Sequence, residues 1–135
     1  MKLELSQKEL RRLLDMAYIG NWILNSYRSD DRISDYEDVL ERLFEAAAQL
    51  GMRELYKVEN GRILPSDAFE DGGIQSAIAE YEDVCFYDIL ADNLARRDLE
   101  LEGKTAVDSS ELLGRIEEYA DEFDENGLLN LKVQK

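Results

Sequence analysis

The residue types available for chemistry in this chain are carboxylates and little else: 31 Asp and Glu, one Cys and no His. Without histidine it lacks the commonest general base near neutral pH and the commonest metal ligand. Neither a Ser-His-Asp nor a Cys-His arrangement can be assembled from its own residues, nor can a di-iron site built on Glu-x-x-His. Cys85 lies in an apolar helical pattern with Tyr81, Val84 and Ile89 and reads as an inert core thiol. A single cysteine can close no intrachain disulfide, which fits a reducing, cytoplasmic setting.

The carboxylates suggest two metal chemistries. Glu80-x-x-Asp83 and Glu118-x-x-Asp121 imitate half of the Glu-x-x-Glu then Glu-x-x-Asp pattern that holds Mg²⁺ in all-helical nucleotide pyrophosphohydrolases. Neither is preceded at a suitable distance by Glu-x-x-Glu. An Mg²⁺-dependent nucleotide hydrolase using Asp88, Asp92, Glu118 or Asp121 is therefore the runner-up reading. Glu122-Phe123-Asp124-Glu125-Asn126-Gly127 imitates the start of a calcium loop, but the bidentate Glu at its twelfth position is replaced by Val133. A helix ending at Gly127 explains the same residues, and no cofactor or metal is expected.

Helix-spaced polar residues within an apolar segment offer a different kind of site. Tyr18-Ile19-Gly20-Asn21-Trp22-Ile23-Leu24-Asn25-Ser26-Tyr27-Arg28 places apolar groups around most of the helix circumference, which predicts burial. Asn21, Asn25 and Arg28 follow at spacings of four and three and so share a face. Buried there, the amides and the guanidinium need partners, and Asp88, in phase with Ile74, Ile78, Tyr81 and Cys85, is a candidate. Gly20 lowers helix propensity by about 1 kcal/mol, a cost most readily offset by a close helix crossing. An internal network, a dimer seam and a small-ligand pocket are the three readings of Tyr18, Gly20, Asn21, Trp22, Asn25, Arg28 and Asp88.

The run Glu117–Glu125 carries six acids in nine residues and no base. A solvated helix face is the plain reading. The functional one makes Glu117, Glu118, Asp121 and Glu122 a docking face for a basic or nucleic-acid-binding partner. The net charge of −15 disfavours direct nucleic-acid binding. No apolar run exceeds four residues, so neither a signal peptide nor a membrane span is expected.

These side chains must be positioned by a mainly α, four-helix bundle-like domain spanning residues 1–135, large enough to bury a core without metal or disulfide. Capping boxes at Ser6/Glu9 and Ser34/Glu37 open helices over about residues 7 to 28 and 34 to 50, the second ending at Gly51. Asn60-Gly61 between β-favouring residues predicts a hairpin over residues 54–64. A loop over residues 65–73 follows, pinned by Phe69. A third helix runs from Ile74 to about Asp98, and Asp108 with Glu111 caps a fourth that Gly127 closes. Met1–Leu5 and Leu128–Val133 alternate apolar and polar residues as strands do, and these termini are expected to pair.

The pattern Tyr18-x-Gly20-x-Trp22-x-x-Asn25-x-x-Arg28, with Tyr87-Asp88-x-Leu90-x-x-x-Leu94-Ala95-x-Arg97-Asp98, is similar to that of a group of small uncharacterised bacterial proteins. That resemblance implies a bacterial cytosolic origin and supplies no catalytic residues. The expectation for function is a non-enzymatic protein-interaction domain whose partner is another protein or, as a homodimer, a second copy.

Overall fold

The computed structural model describes residues 1–105 and 109–133, and the chain divides into two compact units, residues 1–78 and 79–135. The fold is mainly α with one short hairpin. The elements are α1 (Gln7–Asn25), α2 (Ser34–Gln49), a 3₁₀ turn (Arg53–Leu55), β1 (Tyr56–Glu59), β2 (Arg62–Pro65), the single turn α3 (Asp67–Phe69), a π turn (Glu70–Ile74), α4 (Gln75–Leu101) and α5 (Ser110–Asn126).

In the first unit α1 begins as its sequence dictates: the Ser6 side chain accepts from the Glu9 backbone N–H while Glu9 accepts from the Ser6 N–H. It ends at Asn25, one turn short of the predicted residue 28. The reason is that the Asn25 side chain takes over the backbone of the next segment: its Oδ1 accepts from Ile33 N–H (2.8 Å) and its Nδ2 donates to Ile33 C=O (3.1 Å). Arg28 Nε donates to the Leu24 carbonyl at 2.7 Å.

The second capping box does not form. Ile33, without a side-chain cap, is the N-cap of α2, and Ser34 is already helical. The Glu37 carboxylate that should reach back is engaged by Arg32 Nε at 2.7 Å. Gly51 ends the helix with φ at +74°, as glycine readily does. At the hairpin both Asn60 (φ 50°) and Gly61 (φ 77°) are left-handed, which matches the twist of the flanking strands and sets Tyr56 opposite Pro65 and Glu59 opposite Arg62.

The segment after β2 is less irregular than predicted. Ser66 caps α3 by accepting from Phe69 N–H, and the π turn passes Gly73 at φ +116° before α4 starts. Phe69 is 1% exposed and packs edge-on against both Tyr18 and Phe44, with ring centroids 5.4 and 5.1 Å apart. Leu10, Leu14, Leu40, Ala47, Ile74 and Ile78 complete this core.

In the second unit α4 and α5 share two apolar clusters, Ala91, Leu94 and Phe123 in one and Ala95, Leu99 and Leu112 in the other. The Tyr119 hydroxyl donates to Asp98, and Arg115 pairs with Glu102 at 2.7 and 2.8 Å, tying the helices along their length. The proposed Asp108 cap lies outside the described residues. Ser109 supplies the side chain that accepts from Leu112 N–H.

The predicted pairing of the chain ends is not formed. Among the described residues the only sheet is β1–β2; Met1–Leu5 carries no strand, and Leu128–Asn130 forms turns closed by Leu129 N–H to Asn126 C=O and Leu131 N–H to Leu128 C=O. The local turn bonds consume backbone groups that a strand would have offered to a partner.

Candidate functional site

The polar face of α1 divides between two tasks. Asn25, 0% exposed, is wholly internal: its amide nitrogen also donates to Asn21 Oδ1 at 2.8 Å, and Arg32 donates to its backbone carbonyl at 3.1 Å. Buried side-chain polar atoms without a partner are absent among the described residues, so the network is complete. The ion-pair partner of Arg28 lies within its own unit. Arg28 pairs with Asp31 at 2.7 Å and lies over its neighbour Tyr27, while Asp88 is exposed on α4.

Gly20 makes no close helix crossing either. A Cβ placed there meets nothing within 4 Å, and Met16 and Ile23 are exposed on the same helix. The circumference of α1 is thus apolar without being buried, because only the face carrying Leu10, Leu14, Tyr18 and Asn25 is covered.

Tyr18, Asn21 and Trp22 line a cleft of about 260 Å³ in the first unit. Its other walls are Glu37, Leu40 and Glu41 of α2, Arg62–Pro65 of β2 and Glu70 of the π turn. The Tyr18 and Trp22 rings are stacked at 6.3 Å with 21° between planes. The Tyr18 hydroxyl donates to Glu70 Oε1 at 2.8 Å and accepts from Gln75 Nε2 at 2.5 Å. Burial, reinforced by the Glu70 carboxylate, pushes the Tyr18 hydroxyl up to about 12, so it remains a donor throughout the neutral range.

Sequence reasoning missed Glu70, Glu41 and Arg62 as cleft residues, since they come from elements brought together only by the hairpin and the π turn. Arg62 clamps Glu41 with Nη2–Oε2 at 2.7 Å, which holds that carboxyl below the usual carboxylate range.

The second unit carries a different surface. Tyr81, Val84, Phe86 and Ile89 of α4, the first two and Ile89 predicted to be core, are 64, 55, 49 and 61% exposed. The cause is local: α5 covers one face of α4, where Ala91 and Leu94 are buried and Phe123 packs against the Tyr87 ring at 5.7 Å, and these four side chains lie outside that contact. Cys85 is a free, half-buried thiol rather than a core residue. The neighbouring Cys85 thiol raises the Tyr81 hydroxyl above its ordinary value. Glu80, Glu82, Asp83 and Asp88 are exposed on the same turns. From residue 63 to residue 95 the chain holds eight acids and no base, a signal the sequence offered openly.

On α5, Glu117, Glu118 and Asp121 are exposed, and Glu122 accepts from Asn130 Nδ2 at 2.6 Å. Among the described residues no group of three or more His, Cys, Asp or Glu side chains is placed to hold a metal ion. No described helix is long and apolar enough to cross a membrane. The chain matches no family model, no curated protein and no solved structure at a significant level.

Proposed function

We propose that this protein is a non-enzymatic interaction module that engages a basic amphipathic segment of another protein through the middle of α4. The observation that carries this reading is the set of large apolar side chains at Tyr81, Val84, Phe86 and Ile89, each about half or more exposed, among Glu80, Glu82, Asp83 and Asp88. Scattered exposed apolar residues need no explanation. Four within nine consecutive residues, two of them aromatic, match the composition of an interface anchor.

Charge selects the partner. A second copy docking on the same face would set these carboxylates against their equivalents in a chain of net charge −15, at a cost that salt only partly screens. A helix with Lys and Arg beside a Leu or Met stripe reverses that sign and presents anchors at matching spacing. The homodimer is accordingly the disfavoured form of this interaction.

Titration calorimetry with a synthetic Leu-Lys amphipathic peptide tests the reading. Tyr81→Ser combined with Val84→Ser, neighbours one turn apart on the same face, should weaken binding by at least about tenfold, equivalent to about 1.4 kcal/mol. The melting temperature should be unaltered, because exposed side chains contribute little to folding. Undiminished binding by the double variant overturns the proposal.

A second reading rests on α5, whose exposed Glu117, Glu118 and Asp121 form a separate acidic face. It supports a regulator that occupies a basic or nucleic-acid-binding partner by charge. Reversing Glu117, Glu118, Asp121 and Glu122 to Lys should then abolish peptide binding that the α4 variant leaves intact.

A further inference from the structure

We propose that the cleft of the first unit is a binding site for a guanidinium group, held between the Trp22 indole and the Glu70 carboxylate. This inference is independent of the surface on α4. Three carboxylates, Glu37, Glu41 and Glu70, line the cleft against one cation, Arg62. They are not equivalent. Glu41 is clamped by Arg62 at 2.7 Å, and Glu37 is engaged by Arg32 at 2.7 Å. Glu70 has no such cation hydrogen-bonded to it: one of its oxygens accepts from Tyr18 at 2.8 Å, and its other oxygen has no hydrogen-bond partner among the described residues.

The tyrosine fixes that carboxylate in place. Tyr18 is itself fixed by Gln75 and by the Phe69 ring, so Glu70 is oriented before any ligand arrives. The stacked Tyr18 and Trp22 rings add an aromatic surface to the same cleft. A planar cation suits this combination, because guanidinium lays its face on an indole while its edge donates to a carboxylate, whereas a compact ammonium remains more strongly hydrated. Arg62 illustrates the chemistry within the molecule, lining the cleft while it grips Glu41.

A volume of about 260 Å³ lies below the usual range for cofactor pockets and fits a single alkylguanidinium end group. That group can come from a free small molecule or from an arginine side chain of a protein.

Trp22 is the only tryptophan, so its fluorescence reports this cleft alone. Titration of the intact protein with butylguanidinium should change Trp22 emission saturably, with a Kd on the order of 1 mM. Butylurea, the uncharged isostere, should leave it unchanged. Glu70→Gln, which keeps an acceptor for Tyr18, should weaken butylguanidinium by about tenfold, the loss expected for one charge-assisted hydrogen bond. N-acetyl-arginine methylamide separates the sources: tighter binding than butylguanidinium marks a protein side chain, and weaker binding marks a free small molecule. Absence of saturation with butylguanidinium, or equal responses to it and to butylurea, overturns the proposal even if Glu70→Gln fails to fold.

Discussion

Asn25 holds the first turn of the chain in place by hydrogen bonds to both backbone groups of Ile33, and removing its side chain would strand them. Asn25→Ala should therefore cost about 2–3 kcal/mol in urea unfolding, since a buried group left unpaired costs more than the bond gained. A loss under about 0.5 kcal/mol would mean that water replaces the amide. Gly20 predicts the opposite sign. It lies inside α1 with open space where a Cβ would stand, so Gly20→Ala should stabilise by about 0.5–1 kcal/mol. Tyr18 gives a pH dependence. Its hydroxyl is raised from 10.0 to about 12 on folding, so the folded state holds a proton that the unfolded state releases first. The stability this contributes is complete below about pH 10 and is lost as pH rises toward 12. Phenolate absorbance should show a tyrosine titrating last, and Tyr18→Phe should remove that step.

The elements were legible in the sequence where a local rule decided them. Ser6 with Glu9, Asn60-Gly61 and Gly51 each specify backbone geometry through their own side chain or its absence, and each stands where predicted. Rules requiring a distant competitor to be absent failed. Ser34 and Glu37 form no capping box because Arg32 takes the carboxylate, and the terminal segments form no strands because alternation alone names no partner. The same limit applied to α4: helical periodicity marks an apolar stripe, but whether another helix covers it depends on which face α5 packs against. Of the residues singled out on α1, Tyr18, Asn21 and Trp22 reach a cleft and Asn25 an internal network, a division set by tertiary contacts that spacing does not contain. The hairpin offers a check at this scale. With Gly61 at φ +77°, Gly61→Ala should destabilise by about 1–2 kcal/mol, and an unchanged melting curve would contradict a left-handed turn.

At the scale of the whole molecule, charge and apolar exposure have to be considered together. A net charge of −15 keeps copies apart, and raising salt should increase the melting temperature by relieving that repulsion. The same salt should weaken docking of a basic helix on α4. Charge alone would recruit that helix equally well to Glu117–Glu125, and only α4 adds Tyr81, Val84, Phe86 and Ile89 to its acids. The location of binding is therefore the decisive observable. Amide chemical shifts of the ¹⁵N-labelled protein, titrated with the Leu-Lys peptide, should move most at residues 80–90 and little on α5. Shifts concentrated at residues 117–125, or spread evenly over the acidic surface, would contradict an apolar docking face on α4.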